Sequence, residues 1–195
     1  MTDRISAIVE ESLRVKQRFF DAHGVKIQDA AAMIAEAFKI NRKLLVFGNG
    51  GSAADAQHIA GELVNRFLQK RRGLPAIALT TDGGALTCIA NDTGFENVFA
   101  RQIEALGVKG DVCLAISTSG TSPNIVRACE QARAQGIQAI GLLGCDGGRV
   151  AALCDLALIV PSHDTQRIQE THNLIGHVLC ELIESEMFPL QNAER

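Results

Sequence analysis

The sequence predicts an α/β protein built around a buried, parallel, five-stranded sheet. Short, continuous apolar runs of strand length recur along the chain, and helical patterns lie between most of them. Continuous apolarity indicates strands that are covered on both faces, and the spacing suits right-handed crossovers between parallel neighbours. The runs are KLLVFG at 43–48, AIALT at 76–80, VCLAIS at 112–117, AIGLLG at 139–144 and LALIV at 156–160.

Helical patterns stand at both ends of this series of strands. Two helices are predicted at about 3–22 and 26–41, separated by Gly24, because apolar residues recur there with a period near 3.6. A long helix over about 165–188 closes the chain. Since no repeat or Pro/Gly/Ser-rich linker divides the sequence, we expect one domain over 1–195, with N-terminal helices in 1–42 and the sheet and closing helix in 43–195.

The composition argues against several classes of protein. The 195 residues include 19 Lys or Arg and 22 Asp or Glu, and a formal charge of -3 gives no basic surface for nucleic acid. No apolar run approaches the roughly 18 residues of a membrane span, and the N-terminus lacks a signal-peptide pattern. The six cysteines show no C-x-x-C spacing and mostly lie in apolar runs, which indicates free thiols in a reducing compartment. We therefore expect a soluble, cytoplasmic protein.

Three strands are followed by turn or hydroxyl residues: GNGGS at 48–52, STSGTS at 117–122 and GCDGG at 144–148. Ligands of parallel sheets bind beyond the carboxyl ends of the strands, so we expect the cleft there. Pro123 predicts that a helix begins near Ser122. Five hydroxyl residues beside the N-terminus of a helix exceed what capping needs and favour a phosphate site.

The glycine-rich turn GNGGSAAD is less specific. Ser52 is a candidate N-cap, with Asp55 at capping-box spacing. Its glycines allow positive φ angles and close approach of a ligand to the backbone. Taken alone, the turn suits an ordinary strand-to-helix connection as well as it suits a binding site.

Two helices each carry a histidine and carboxylates on a polar face. His58 and Glu62 lie one turn apart on a face shared with Asp55, and His177 shares a face with Glu184. Periodicity alone favours solvated faces for both helices. The other reading is that the two polar faces meet across a subunit boundary and form part of an active site.

Taken together, six motifs resemble the sugar isomerase (SIS) domain family and, within it, the bacterial phosphoheptose isomerases. They are GNGGSAADAQH, LTTD, IANDTGFENVFARQ, AISTSG, DGG and RIQETHNLIGHVLCELIE. The resemblance covers practically the whole chain, with motifs in a similar order and at similar spacing. It implies a flavodoxin-like three-layer αβα sandwich that assembles as a homotetramer.

The resemblance also implies the chemistry. Phosphoheptose isomerases are aldose–ketose isomerases that convert sedoheptulose 7-phosphate to D-glycero-D-manno-heptose 7-phosphate by enediol proton transfer, the first step towards the heptose of lipopolysaccharide or other surface polysaccharide. The family's catalytic pair falls on Glu62 and His177. Its substrate contacts fall on Asn49, Gly50, Gly51, Ser52, Glu62, Asn91, Asp92, Ser117, Thr118, Ser119, Ser122 and Gln169.

Several members of the family bind zinc, and the matching residues here are His58, Glu62, Gln169 and His177. One zinc ion per subunit is therefore expected. The separation of eight positions between Gln169 and His177 permits convergence on one ion but does not require it. The alternative is that these four side chains contact the substrate through hydrogen bonds, with no metal.

A second function remains open. A SIS-fold protein that binds the bacterial replication initiator shares much of this pattern, so the alternative is a non-catalytic sugar-phosphate sensor or replication-initiator-binding adaptor. In that relative the positions matching Glu62 and His177 are not Glu and His, and their presence here favours the enzyme. Thr121 departs from the family's commoner STSGNS and leaves the flanking hydroxyls intact.

Overall fold

Five parallel strands form the centre of the molecule in the computed structural model, which describes residues 2–189. Their order across the sheet is β2-β1-β3-β4-β5, and every pair is parallel, as predicted. Each strand lies within two residues of its predicted bounds. The strands are β1 Leu44–Gly48, β2 Ala76–Ala78, β3 Val112–Ser117, β4 Gln138–Leu143 and β5 Leu156–Ile159.

Helices cover both faces of the sheet and produce the expected three layers. Successive strand residues point to opposite faces, so Leu44 and Val46 enter one apolar core while Leu45 and Phe47 enter the other. The first core is covered by α1 Thr2–Lys39, α2 Gly51–Val64 and α7 Thr165–Met187. The second is covered by α3 Gly83–Thr93, α4 Ala100–Leu106, α5 Pro123–Ala134 and α6 Gly148–Ala151.

The predicted division of the N-terminal region at Gly24 is wrong. One helix, α1, continues through this position and packs along α7. Glycine costs a helix only about 0.5–1 kcal/mol relative to alanine. That cost is small beside the burial of apolar side chains on both sides of Gly24, including Phe19 and Ile27.

The predicted domain over 1–195 includes Met1 and residues 190–195, which lie outside the described residues. The closing helix, predicted to reach residue 188, ends at Met187. Within residues 2–189, no helix is both long and apolar enough to cross a membrane.

The strand order creates a switch point between β1 and β3. From β1 the chain crosses to β2 on one side, and it then returns to place β3 on the other side of β1. In sheets with this order the loops after the two strands diverge and leave a crevice at their carboxyl ends. Two of the predicted ligand-binding loops, at 48–52 and 117–122, are the loops at this crevice.

Candidate active site

The loop after β1 is joined to the start of α5 by a pair of amides. Asn49 Nδ2 donates to Asn124 Oδ1 at 2.9 Å, and Asn124 Nδ2 donates to Asn49 Oδ1 at 2.7 Å. Asn124 is buried in the first turn of α5. Asn124 is not among the site residues predicted from the sequence. Its position directly after Pro123, at the end of the hydroxyl-rich loop, was the available signal.

The predicted capping box at Ser52 is wrong. The N-cap of α2 is Gly50, whose φ of 56° allows its carbonyl to accept from the N–H groups of Ala53 and Ala54. Ser52 is instead buried in the first turn of the helix. A Cβ atom at Gly51 would collide with the side-chain amide of Gln169, so this glycine lets Gln169 lie directly against the start of α2.

The hydroxyl residues surround the N-terminus of α5. Ser117 Oγ accepts from the N–H of Gly120 at 3.1 Å, and Ser119 Oγ accepts from the N–H of Thr121 at 3.3 Å. As predicted, α5 begins after Ser122 with a proline in its first turn. Among the described residues, the Ser122 side chain makes no capping hydrogen bond to α5.

Neighbouring backbone holds this hydroxyl loop in place. Thr118 is half-buried, and its carbonyl accepts from Cys145 Sγ at 3.6 Å. The Gly120 carbonyl accepts from the N–H of Val150 at 3.0 Å. With φ at 65° and the Gly147 carbonyl where a Cβ would lie, position 120 requires glycine. Hydroxyls and first-turn N–H groups therefore form a supported site that suits an anion.

The polar faces of α2 and α7 meet within one chain. His58 Nε2 lies 2.8 Å from His177 Nε2 and 3.7 Å from Glu62 Oε1. The ring of Phe67 lies 5.8 Å from the His177 ring, measured between centroids. The two polar faces are therefore not separate, although the His58 side chain is still 44% exposed, because packing between these helices brings both predicted catalytic residues next to His58.

Two carboxylates expected on solvated faces are buried: Asp55 is 8% exposed and Glu184 is 1% exposed. Burial raises the pKa of Asp55, against the opposing effects of Asn173, His58 and Gln169. Asp55 Oδ1 accepts a long hydrogen bond of 3.5 Å from Asn173, and its Oδ2 has no hydrogen-bond partner within residues 2–189. The carboxyl lines an open cleft of about 520 Å³ whose other walls come from α1 and α7.

The predicted site residues fall into separate groups. Gln169 lies beside Gly51 at the crevice, whereas Glu62 is eleven residues further along α2, about 16 Å at the rise of an α-helix. Asn91 and Asp92 form a third group, exposed near the end of α3, where the Asn91 amide donates to the Asp92 carboxylate at 2.8 Å. Glu62 therefore lies about three turns along α2 from the end of the helix that borders the crevice.

The predicted zinc ligands divide in the same way. His58, Glu62 and His177 offer two imidazoles and a carboxylate, a donor set that suits a catalytic zinc, while Gln169 lies about two turns from His177 on α7. The 2.8 Å between the two Nε2 atoms is less than the roughly 3.3 Å expected between two nitrogens on tetrahedral zinc. Residues 2–189 contain no preformed cluster of three His, Cys, Asp or Glu ligands. The donor chemistry fits zinc, provided that the rings move apart.

Comparison with known proteins identifies the family. The SIS domain model matches residues 9–144. The phosphoheptose isomerase of Trichlorobacter lovleyi is 51% identical over 96% of each chain, and that of Aquifex aeolicus is 52% identical over 94% of this chain and 96% of its own. The chain belongs to the phosphoheptose isomerases of the SIS domain family.

Solved structures agree with this family. The phosphoheptose isomerase of Neisseria gonorrhoeae is 43% identical and superposes with a TM-score of 0.90, covering 94% of this chain and 98% of that chain. The phosphoheptose isomerase of Francisella tularensis is 39% identical with a TM-score of 0.91 and the same coverage. The α/β SIS fold expected from the resemblance is thus confirmed.

Proposed function

We propose that this protein is an aldose–ketose isomerase that converts sedoheptulose 7-phosphate to D-glycero-D-manno-heptose 7-phosphate at the start of heptose biosynthesis. The observation that carries the proposal is the meeting of Glu62, His58 and His177 between α2 and α7. It occurs in a chain about half identical to phosphoheptose isomerases over nearly its whole length. A non-catalytic sensor or initiator-binding adaptor has no need of an acid–base pair, so it is not favoured.

The reaction needs one base and one acid. A base removes a proton from C1 of the ketose while an acid protonates the C2 oxygen, which gives the enediol. Return of a proton to C2 and loss of the proton on the C1 oxygen then produce the aldose. Glu62 is the proposed base and His177 the proposed acid, and such groups each contribute about 10²–10⁴-fold to the rate.

The loop at 117–122 is the proposed phosphate site. Its hydroxyls and the N-terminus of α5 supply donors without a lysine or arginine, and the positive end of the helix dipole favours an anion. Asn49, Gly50, Gly51 and Ser52 lie at the same crevice, where they are proposed to contact the sugar. Asn91 and Asp92 are exposed near the end of α3, and their predicted sugar contacts are part of the same proposal.

We infer that the complete site forms between subunits. In one chain the backbone of Glu62 lies about 16 Å along α2 from Gly51, its first residue, whereas C2 of the substrate lies less than about 10 Å from its phosphorus, at about 1.5 Å per bond. A phosphate held in one chain therefore suits a catalytic pair from another. Exposed apolar residues near the start of α1, namely Ile5, Ile8, Val9 and Leu13, support the expected homotetramer.

Zinc is the proposed cofactor, held by His58, Glu62 and His177, with Gln169 as the predicted fourth ligand. Because a group bound to zinc is not free to exchange a proton, Glu62 and His177 would act as base and acid only while not bound to the ion. When bound, zinc would polarise the substrate oxygens. We expect elemental analysis of protein purified without chelator to find about one zinc per subunit, and His58→Gln to lower that content. Full occupancy in His58→Gln, or full activity in rigorously zinc-free protein, would contradict this role.

A cytoplasmic location is also proposed. All six cysteines are free, and Cys113, Cys129 and Cys180 are buried. Free thiols in this number suit a reducing compartment.

Turnover of sedoheptulose 7-phosphate, with the product identified by NMR, tests the proposed reaction. We expect Glu62→Gln to lower kcat by at least about 10²-fold, because the amide cannot accept the C1 proton. Circular dichroism and light scattering serve as controls for folding and assembly. Near-normal turnover by a folded, assembled Glu62→Gln variant would overturn the assignment. Ligand binding without turnover by the unaltered protein, together with a stable complex with a replication initiator, would favour the adaptor.

A further inference from the structure

A buried ion pair outside the predicted site joins the end of α2 to α7. Arg71 Nε donates to Glu184 Oε1 at 2.6 Å, and the two side chains are 2% and 1% exposed. The Glu184 carboxylate also accepts from three consecutive backbone N–H groups in the loop after α2, at 3.0, 2.7 and 2.8 Å. These belong to Phe67, Leu68 and Gln69.

Arg71 also closes the C-terminal end of α2. Its Nη2 donates to the carbonyl of Glu62 at 3.0 Å, and its Nη1 donates to the carbonyls of Leu63 and Asn65 at 2.9 and 3.3 Å. The last carbonyls of a helix have no partner within the helix, and a cation there also complements the helix dipole. The planar fork of arginine meets several of these acceptors at once.

These bonds converge on the proposed catalytic pair. Arg71 binds the backbone of Glu62 itself. Glu184 lies seven residues after His177, two turns along the same face of α7. Glu184 also accepts a hydrogen bond from the N–H of Phe67, and the Phe67 ring lies against the His177 ring.

We propose that Arg71 and Glu184 are positioning residues that set the geometry of Glu62 relative to His177. This inference rests on the proposed function, because it assumes that these two side chains carry out the proton transfer. Neither Arg71 nor Glu184 contacts the substrate in this proposal. The pair instead fixes where α2 ends against α7, and a displacement of about 1 Å in reacting groups costs up to ~10²-fold in rate.

Asp111 provides a matched control. It is another fully buried carboxylate, which accepts from the N–H groups of Lys43 and Val108 and from Lys43 Nζ. It lies at the amino end of β3, the opposite end of the sheet from the crevice. Asp111→Asn and Glu184→Gln therefore remove equivalent charges from buried hydrogen-bond clusters, but only Glu184 is tied to the catalytic helices.

The test compares steady-state kinetics on sedoheptulose 7-phosphate and unfolding by urea for the unaltered protein, Glu184→Gln and Asp111→Asn. We expect both variants to be destabilised. We expect kcat to fall about 10–100-fold only in Glu184→Gln, with KM changing less than about 3-fold. Arg71→Lys keeps the charge but loses the fork, so it should show an intermediate loss of kcat. If Glu184→Gln does not fold, the comparison of kcat between Arg71→Lys and Asp111→Asn decides whether the positioning role holds.

The outcomes separate this inference from the proposed function. No turnover by the unaltered protein would overturn the proposed function. Turnover by the unaltered protein, with kcat in Glu184→Gln and Arg71→Lys no lower than in Asp111→Asn, would overturn the positioning role alone.

Discussion

His172 is a buried histidine on α7 that the proposed mechanism does not use. Its Nε2 lies 3.1 Å from the Leu143 carbonyl oxygen. Burial lowers its pKa from 6.5 to about 4, against the opposing effect of this hydrogen bond. The imidazole is therefore neutral in the folded protein across much of the range in which it is protonated in the unfolded chain.

This difference predicts a specific sensitivity to acid. Between about pH 6.5 and pH 4 the unfolded state binds a proton that the folded state does not, so the free energy of unfolding rises with pH. Acidification across that range should cost about 3 kcal/mol through His172 alone. We expect urea unfolding at a series of pH values to show a shallower slope for His172→Gln. Equal slopes in the two proteins would contradict this explanation.

At the scale of the element, α1 shows how tertiary packing overrides a helix-weakening residue. Gly24 is exposed within the helix, and a Cβ added there would meet nothing within 4 Å. Glycine carries an entropic cost in a helix that alanine does not. The helix is therefore less stable with glycine at position 24 than it would be with alanine there.

We therefore expect Gly24→Ala to raise the free energy of unfolding by about 0.5–1 kcal/mol. Gly176→Ala in α7 is the matched control, because a Cβ there would lie 2.9 Å from Ile59 and the gain in propensity would be offset by crowding. Urea unfolding of the two variants and the unaltered protein measures both changes in the free energy of unfolding. The explanation fails if Gly24→Ala is neutral or destabilising.

At the scale of the whole molecule, assembly and activity are expected to depend on each other. The exposed apolar residues near the start of α1 lie on one side of the helix, at positions 5, 8, 9 and 13. If this surface packs between subunits and the complete site needs two chains, a charge placed there should abolish both properties together.

Leu13→Glu tests this dependence. We expect light scattering at micromolar concentration to show the unaltered protein as a tetramer and Leu13→Glu as a smaller species, with isomerase activity reduced in parallel. Val25→Glu is the control, because Val25 is also exposed but lies on the opposite side of α1. An unaltered monomer, or a Leu13→Glu monomer with normal turnover, would rule out the shared site.

The sequence by itself determined the sheet, most of the helices and the positions of the binding loops. Strands such as Val112–Ser117 are buried on both faces, so their continuous apolar runs reveal them without reference to the rest of the chain. Pro123 marked the start of α5 for an equally local reason, since a first-turn proline sacrifices no helical hydrogen bond. Glu62 and His177 came from family resemblance, because periodicity alone favoured solvated faces.

Only the tertiary structure decided which polar residues are buried and what they contact. The Glu184 carboxylate binds the N–H of Phe67, 117 residues away in the sequence, and Asn124 pairs with Asn49 across 75 residues. In sequence, a buried carboxylate with partners and a solvated one look the same, because both stand on the polar face of an amphipathic helical pattern. They differ in whether hydrogen-bond donors from distant parts of the chain offset the cost of burying the charge. That depends on how the helices pack.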